Sequence, residues 1–183
     1  IEGSTLRFDF RGKSGLRHSL DLHDRRLARI VGRCRDLPGY ELFQYVDEAG
    51  QQQTIDSADV NDYLRAISGE DFTAKDFRTW AGTVLAALAL QEFESFDSQA
   101  QAKKNVVSAI QNVAERLGNT PAVCRKCYIH PAIVDAYLEG QLLDALRRRT
   151  EQELTGDLAN LAPEEAAVLA LLQQRLACEV QAE

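Results

Sequence analysis

The chain reads as a mainly α protein with a small antiparallel hairpin or sheet at its N-terminal end. Three observations carry that reading. Strict alternation of apolar and polar residues is concentrated near the N-terminus, over residues 5–22. From residue 57 onward apolar residues instead recur at helical spacing. Glycines, prolines and capping residues punctuate those helical stretches at regular intervals. The expected organisation is a hairpin over 1–22, a helical core over 23–149 and a C-terminal helix over 150–183, all within one domain over 1–183.

Each element follows from local pattern. Leu6, Phe8 and Phe10 share one side of the first run, with Arg7, Asp9 and Arg11 on the other. After Gly12-Lys13-Ser14-Gly15 the alternation resumes at Leu16, His18, Leu20 and Leu22, which predicts a hairpin with Lys13 at its tip. Asp24 to about Cys34 has helical spacing at Leu27, Ile30 and Val31, stopped by Leu37-Pro38-Gly39. Leu42 to Ile55 predicts a second, weaker hairpin around Ala49-Gly50. Ser57 is the expected cap of a helix to about Ile67, with Gly69 after it. Thr73, with Asp76 three residues on, opens a helix to about Phe93 that places Phe77, Ala81, Val84, Leu85 and Leu88 on one face. Asp97 or Ser98 opens the next, with Val106, Ile110, Val113 and Leu117 inward and Gly118 as its stop. Thr120-Pro121 caps a short helix leading to Tyr128. His130-Pro131 starts another, ending at Gly140, and Asn160 or Ala162 with Pro163 starts a last one through Cys178.

Composition narrows the function classes. No apolar run reaches the roughly 20 residues needed to span a bilayer, so no membrane partner is expected. No secretory signal opens the chain. The Cys124-x-x-Cys127 pair has no matching second pair for zinc, so no metal is expected, and the four cysteines read as free thiols of a reducing cytoplasm. The chain contains no methionine and begins inside a strand pattern, so it is expected to be part of a longer protein. Its net charge of −7 argues against a polyanion partner until the charge is mapped. Residues 1–35 carry nine Lys/Arg against four Asp/Glu, and residues 72–130 carry seven against five. Residues 36–71 and 131–183 hold the acidic excess. Phosphate attraction is local, being screened beyond about 8–10 Å, so a basic face can serve an acidic protein.

Three short motifs fall in those two basic segments. They are Phe10-Arg11-Gly12-Lys13-Ser14-Gly15, then Phe72-Thr73-Ala74-Lys75-Asp76-Phe77-Arg78-Thr79-Trp80, then Leu117-Gly118-Asn119-Thr120-Pro121-Ala122-Val123-Cys124-Arg125-Lys126-Cys127-Tyr128. Attack on a phosphodiester needs an oxygen nucleophile, cationic donors around phosphorus and a proton for the leaving oxygen. Tyr128 can supply the first, the fork of Arg78 the second and Lys13 the third. Asn119 can donate an amide N–H to a non-bridging oxygen. Taken singly, each of these residues is more simply read as packing, a solvated turn or helix-ending chemistry.

In combination and in this order, the motifs resemble the catalytic part of a type IB DNA topoisomerase of the poxvirus-like bacterial branch. The resemblance covers about residues 5–145. It implies the topoisomerase/tyrosine-recombinase catalytic fold, with Tyr128 as nucleophile, Arg78 as catalytic cation, Lys13 as general acid and Asn119 where poxvirus-type members have histidine. Lys75, Arg125, Lys126, Arg11 and Arg17 are the implied DNA-contact residues. The implied reaction relaxes supercoils through a transient 3′-phosphotyrosyl intermediate without ATP, metal or other cofactor. The implied partner is double-stranded DNA, bound by a monomer in the cytoplasm, at the nucleoid. The Lys75-x-x-Arg78 box favours this over a tyrosine recombinase, which usually carries His-x-x-Arg. A non-catalytic DNA-binding module of the same fold stays as an alternative, which relaxation of a plasmid by the full-length protein would separate. The family has a further catalytic arginine upstream of the hairpin lysine, for which Arg7 and Arg11 are poor matches. Residues 1–183 alone are therefore expected to be impaired.

Overall fold

The computed structural model describes residues 1–12, 15, 17–93, 95–150 and 161–182, and the side chains of all of these save 148–150 and 179–182. The protein is mainly helical, with two small antiparallel sheets in its N-terminal part. It forms two compact units, Ile1–Thr73 and Ala74–Glu183.

The first unit opens with strands β1 (Thr5–Arg11) and β2 (Arg17–His23), paired antiparallel. Their register sets Leu6 opposite Leu22, Phe8 opposite Leu20 and Phe10 opposite His18, as the alternation requires. Leu6 is buried, and Phe10 stacks on the His18 ring at 5.3 Å between centroids. The polar face is laced by two two-pronged ion pairs, Arg7 with Asp21 and Arg17 with Asp9. Hydrogen bonds from these guanidinium groups hold both carboxyls below the usual carboxylate range. Lys13, Ser14 and Leu16 lie outside the described residues.

Helix α1 (Arg25–Arg35) is capped by Asp24, whose carboxylate accepts the Leu27 N–H at 2.8 Å. Strands β3 (Gln44–Val46) and β4 (Gln52–Thr54) form the second hairpin. Asp47 ties its turn by accepting from Gln53 Nε2 and from the Ala49 and Gln51 N–H groups. Helix α2 (Ser57–Ser68) departs from expectation at its start: the cap is Asp56, one residue earlier than Ser57. The Asp56 carboxylate accepts from the Ala58 and Asp59 N–H groups, and the Asp59 carboxylate accepts the Asp56 N–H, a reciprocal box that a serine hydroxyl one residue later cannot form. An anion there also faces the positive end of the helix dipole.

The second unit is built on α3 (Ala74–Gln91). The expected single apolar stripe is corrected here. Phe77 and Ala81 are exposed, while Gly82, Thr83, Val84, Ala86, Ala87, Ala89 and Leu90 are buried. This second half is apolar all round, as befits a central helix. It packs against α4 (Gln99–Leu117), α6 (Pro131–Leu138), α7 (Leu142–Thr150) and α8 (Pro163–Ala182). Between α4 and α6 runs the short α5 (Pro121–Cys127).

Helix α7 was not expected from the sequence; Leu142, Ala145 and Leu146, at helical spacing, turn toward the core. Helix α8 supplies the buried Ala166, Ala167, Val168, Ala170 and Leu171. Its Glu165 accepts the indole N–H of Trp80 on α3 at 3.0 Å.

One polar chain crosses this core. Gln101 Nε2 donates to buried Asn105 Oδ1 at 2.8 Å, and Asn105 Nδ2 donates to the Tyr137 hydroxyl at 2.7 Å. The Tyr137 ring meets Phe96 at 5.3 Å between centroids.

Two predictions follow from these contacts. Tyr137→Phe leaves a buried amide N–H of Asn105 without its acceptor, so it should cost about 1–3 kcal/mol of stability. Denaturant unfolding should show a lower midpoint with an unchanged slope. In the β1–β2 hairpin, depressed carboxyl pKa values mean that the ion pairs contribute above the unfolded carboxyl value of about 3.9 and are lost as pH falls through the lowered folded values. Amide protection in β1 and β2, taken relative to the intrinsic exchange rate at each pH, should fall on acidification in that window, and the double change Asp9→Asn with Asp21→Asn should flatten the dependence.

Candidate functional site

The site begins at the C-terminus of α4. Gly118 takes φ 65°, a left-handed conformation that a side chain disfavours, and the chain reverses there. The Asn119 N–H bonds the Ala114 carbonyl at 2.9 Å, and the Gly118 N–H bonds the Glu115 carbonyl at 3.2 Å. These are the paired bonds of a Schellman stop. They leave the Leu117 carbonyl for side chains. Two take it: Arg78 Nη2 donates at 2.8 Å and Asn119 Nδ2 at 2.9 Å. Two residues singled out as anion donors thus converge on one acceptor oxygen.

Thr120 then caps α5 by accepting the Val123 N–H at 3.3 Å, with Pro121 at the first helical position. Arg125 and Lys126 occupy the last turn, where cations complement the carbonyl end of the helix. Both are exposed. Tyr128 ends the helix, its N–H bonded to the Cys124 carbonyl at 2.9 Å. The Tyr128 ring is half-buried against the core, and the Arg78 guanidinium carbon lies 5.0 Å from its centroid. Such a cation–ring contact contributes about 0.5–1 kcal/mol at an exposed site.

Helix α3 holds the chain around Tyr128 at three points. Thr79 Oγ1 lies 2.9 Å from the Lys75 carbonyl and 3.3 Å from the Cys127 carbonyl, and its one proton serves both. Gly82 faces the Tyr128 backbone so closely that a Cβ would sit 2.4 Å from the Tyr128 carbonyl oxygen. A mid-helix glycine costs about 1 kcal/mol relative to alanine, and this contact is what it permits. Thr83 Oγ1 donates to the Thr79 carbonyl at 2.7 Å and accepts the His130 N–H at 3.0 Å. His130 in turn caps α6 by accepting the Ala132 N–H.

Of the residues singled out from sequence, Arg78, Asn119 and Tyr128 come together in the second unit. Lys75 lies in the first turn of α3, exposed, one turn before Thr79. Arg17 is engaged by Asp9, and Arg11 sits opposite Arg17 in the hairpin, exposed. Lys13 falls outside the described residues. Cys124 is packed into the core, where burial pushes its thiol up against a smaller opposing pull from the Arg78 charge. Cys127 is exposed.

Sequence reasoning missed Thr79, Gly82, Thr83 and the Leu117 carbonyl. Gly82 did leave a signal, because an isolated glycine inside an otherwise strong helical pattern marks close packing. A backbone carbonyl leaves none.

Comparison with known proteins places these features in a family context. The family model described as eukaryotic DNA topoisomerase I, catalytic core, matches residues 1–161. Among curated proteins, DNA topoisomerase 1B of Acanthamoeba polyphaga mimivirus is 28% identical over 144 residues. That match takes in 75% of this chain and 43% of the relative, so the chain spans less than half of the relative's length.

Proposed function

The chain belongs to the eukaryotic DNA topoisomerase I catalytic-core family, and on that premise we propose that it performs the strand transfer of a type IB DNA topoisomerase. The observation that carries the reading is the convergence of Arg78 and Asn119 on one oxygen, with Arg78 also against the Tyr128 ring. In this reading the Leu117 carbonyl stands where a non-bridging phosphate oxygen sits in the DNA complex. DNA exchanges a neutral acceptor for an anionic one, and the hydrogen bonds from the same donors strengthen.

The steps follow from that arrangement. The Tyr128 hydroxyl oxygen gives up its proton to water and attacks the scissile phosphorus in line with the 5′ oxygen. A bond from tyrosine to phosphorus forms and the bond to the 5′ oxygen breaks, leaving a 3′-phosphotyrosyl strand. Arg78 absorbs charge on the non-bridging oxygens and Asn119 supplies a neutral donor. Lys13 gives a proton to the departing 5′ oxygen. The freed strand rotates, and its 5′ hydroxyl, returning its proton to Lys13, attacks the phosphotyrosyl phosphorus. The tyrosine–phosphorus bond breaks, the phenolate takes a proton from water and the backbone is resealed. The phosphodiester bond is exchanged for another phosphate ester, so no ATP is spent. The cations come from side chains, so the scheme calls on no metal.

Lys75, Arg125 and Lys126 contact the duplex backbone around the scissile phosphate in this reading, and Arg11 contributes from the hairpin. Arg17 contributes less, since Asp9 already engages it. Binding that rests on such phosphate contacts is sequence-tolerant and falls steeply with salt. No helix among the described residues is long and apolar enough to cross a membrane.

Two experiments on the intact protein test the assignment. Tyr128→Phe should bind duplex DNA with near-normal affinity and yield no covalent adduct on a denaturing gel; an adduct with this variant removes Tyr128 as nucleophile. Lys13→Ala should slow cleavage on the order of 10²–10⁴. That defect should largely vanish when the 5′ bridging oxygen is replaced by sulfur, which leaves without a proton. Equal defects on both substrates would take Lys13 out of the acid role.

A further inference from the structure

We propose that Thr83 is a positioning residue for Tyr128, acting through the backbone of the Tyr128–His130 segment, with Gly82 as the surface on which that segment rests. The inference rests on the reading of Tyr128 as nucleophile.

Thr83 is buried within the most apolar stretch of the chain, between Gly82 and Val84 on a helix that otherwise supplies alanine and leucine to the core. Valine has the same shape and would fill the same space without a polar atom to satisfy. The hydroxyl is used twice. It donates to the Thr79 carbonyl, which fixes its rotamer, and it thereby aims a lone pair at the His130 N–H. Two residues upstream of His130, the Tyr128 carbonyl presses on Gly82. One residue before that, the Cys127 carbonyl meets Thr79 Oγ1. The tyrosine backbone is therefore bonded on either side and supported between.

All three holding groups lie on one face of α3, the helix that also carries Arg78. Nucleophile and phosphate-holding cation are thus referenced to one rigid element. Loss of the His130 bond frees the C-terminal side of the clamp. The Tyr128 oxygen then samples positions out of line with phosphorus, while the DNA-contact side chains stay in place. Displacement of a reacting group by about 1 Å can cost on the order of 10² in rate.

The test compares Thr83→Val and Thr83→Ser in the intact protein, with Tyr128→Phe alongside. Thr83→Val should lower the single-turnover cleavage rate by about 10- to 100-fold. The loss should be equal on oxygen-bridged and sulfur-bridged DNA, because attack and not leaving-group protonation is impaired. Duplex affinity should be unchanged, and Thr83→Ser, which keeps the hydroxyl, should recover most of the rate. In the unmodified protein the His130 amide should be protected from hydrogen exchange, a readout that holds even if Thr83→Val folds poorly. A wild-type rate for Thr83→Val while Tyr128→Phe makes no adduct overturns this inference alone. So does an unprotected His130 amide, or a Thr83→Ser variant as slow as valine. An adduct from Tyr128→Phe overturns the nucleophile reading and this inference with it.

Discussion

The approach of the Tyr128 carbonyl to Gly82 constrains everything around it in the helical unit. No side chain larger than hydrogen fits between α3 and the end of α5 at that point. The close approach lets the Thr79 and Thr83 hydroxyls reach the Cys127 carbonyl and the His130 N–H. It also brings the Tyr128 ring within range of the Arg78 guanidinium one turn earlier on α3. A methyl group in place of that hydrogen would force the two elements apart and disturb all of these contacts together. The glycine is poor for the helix and necessary for the junction.

The second organising feature is electrostatic. A guanidinium and an amide are held ready at the end of α4 by a single carbonyl that the Gly118 turn leaves available. Under the proposed function, a donor set fixed in this way would lose little freedom on exchanging the carbonyl for a phosphate, which is the condition for electrostatic catalysis. The wider charge pattern fits that use. The acidic excess lies in segments 36–71 and 131–183, which border the motifs without containing any of them. On the hairpin, Asp21 and Asp9 engage Arg7 and Arg17, so these two arginines already have carboxylate partners.

The C-terminal helix α8 begins just past the residues that match the family, yet it is part of the core. Its small and branched residues fill one side of α3, and Glu165 fixes Trp80, two residues from Arg78. Its contribution is to brace the helix from which the site is built.

Much of this was legible in the residues themselves. Period-two alternation gave the hairpin and its register, because a one-residue slip would have turned Leu6 outward. Caps and stops at Asp24, Ser98, Gly118, Thr120 and Gly69 set helix boundaries through local chemistry, which acts within a few residues. The three motifs and their resemblance pointed to Arg78, Asn119 and Tyr128. What the tertiary structure alone decided lies beyond that local reach. The buried face of α3 widened into a full surround because four helices pack on it, and no single-helix pattern encodes its neighbours. The cap of α2 moved to Asp56 because two carboxylates could satisfy each other's backbone. Thr79, Gly82 and Thr83 acquired their roles only when residues about 47 positions away arrived beside them. Sequence fixes the side chains available to a site; which backbone atoms they meet depends on how closely the helices pack.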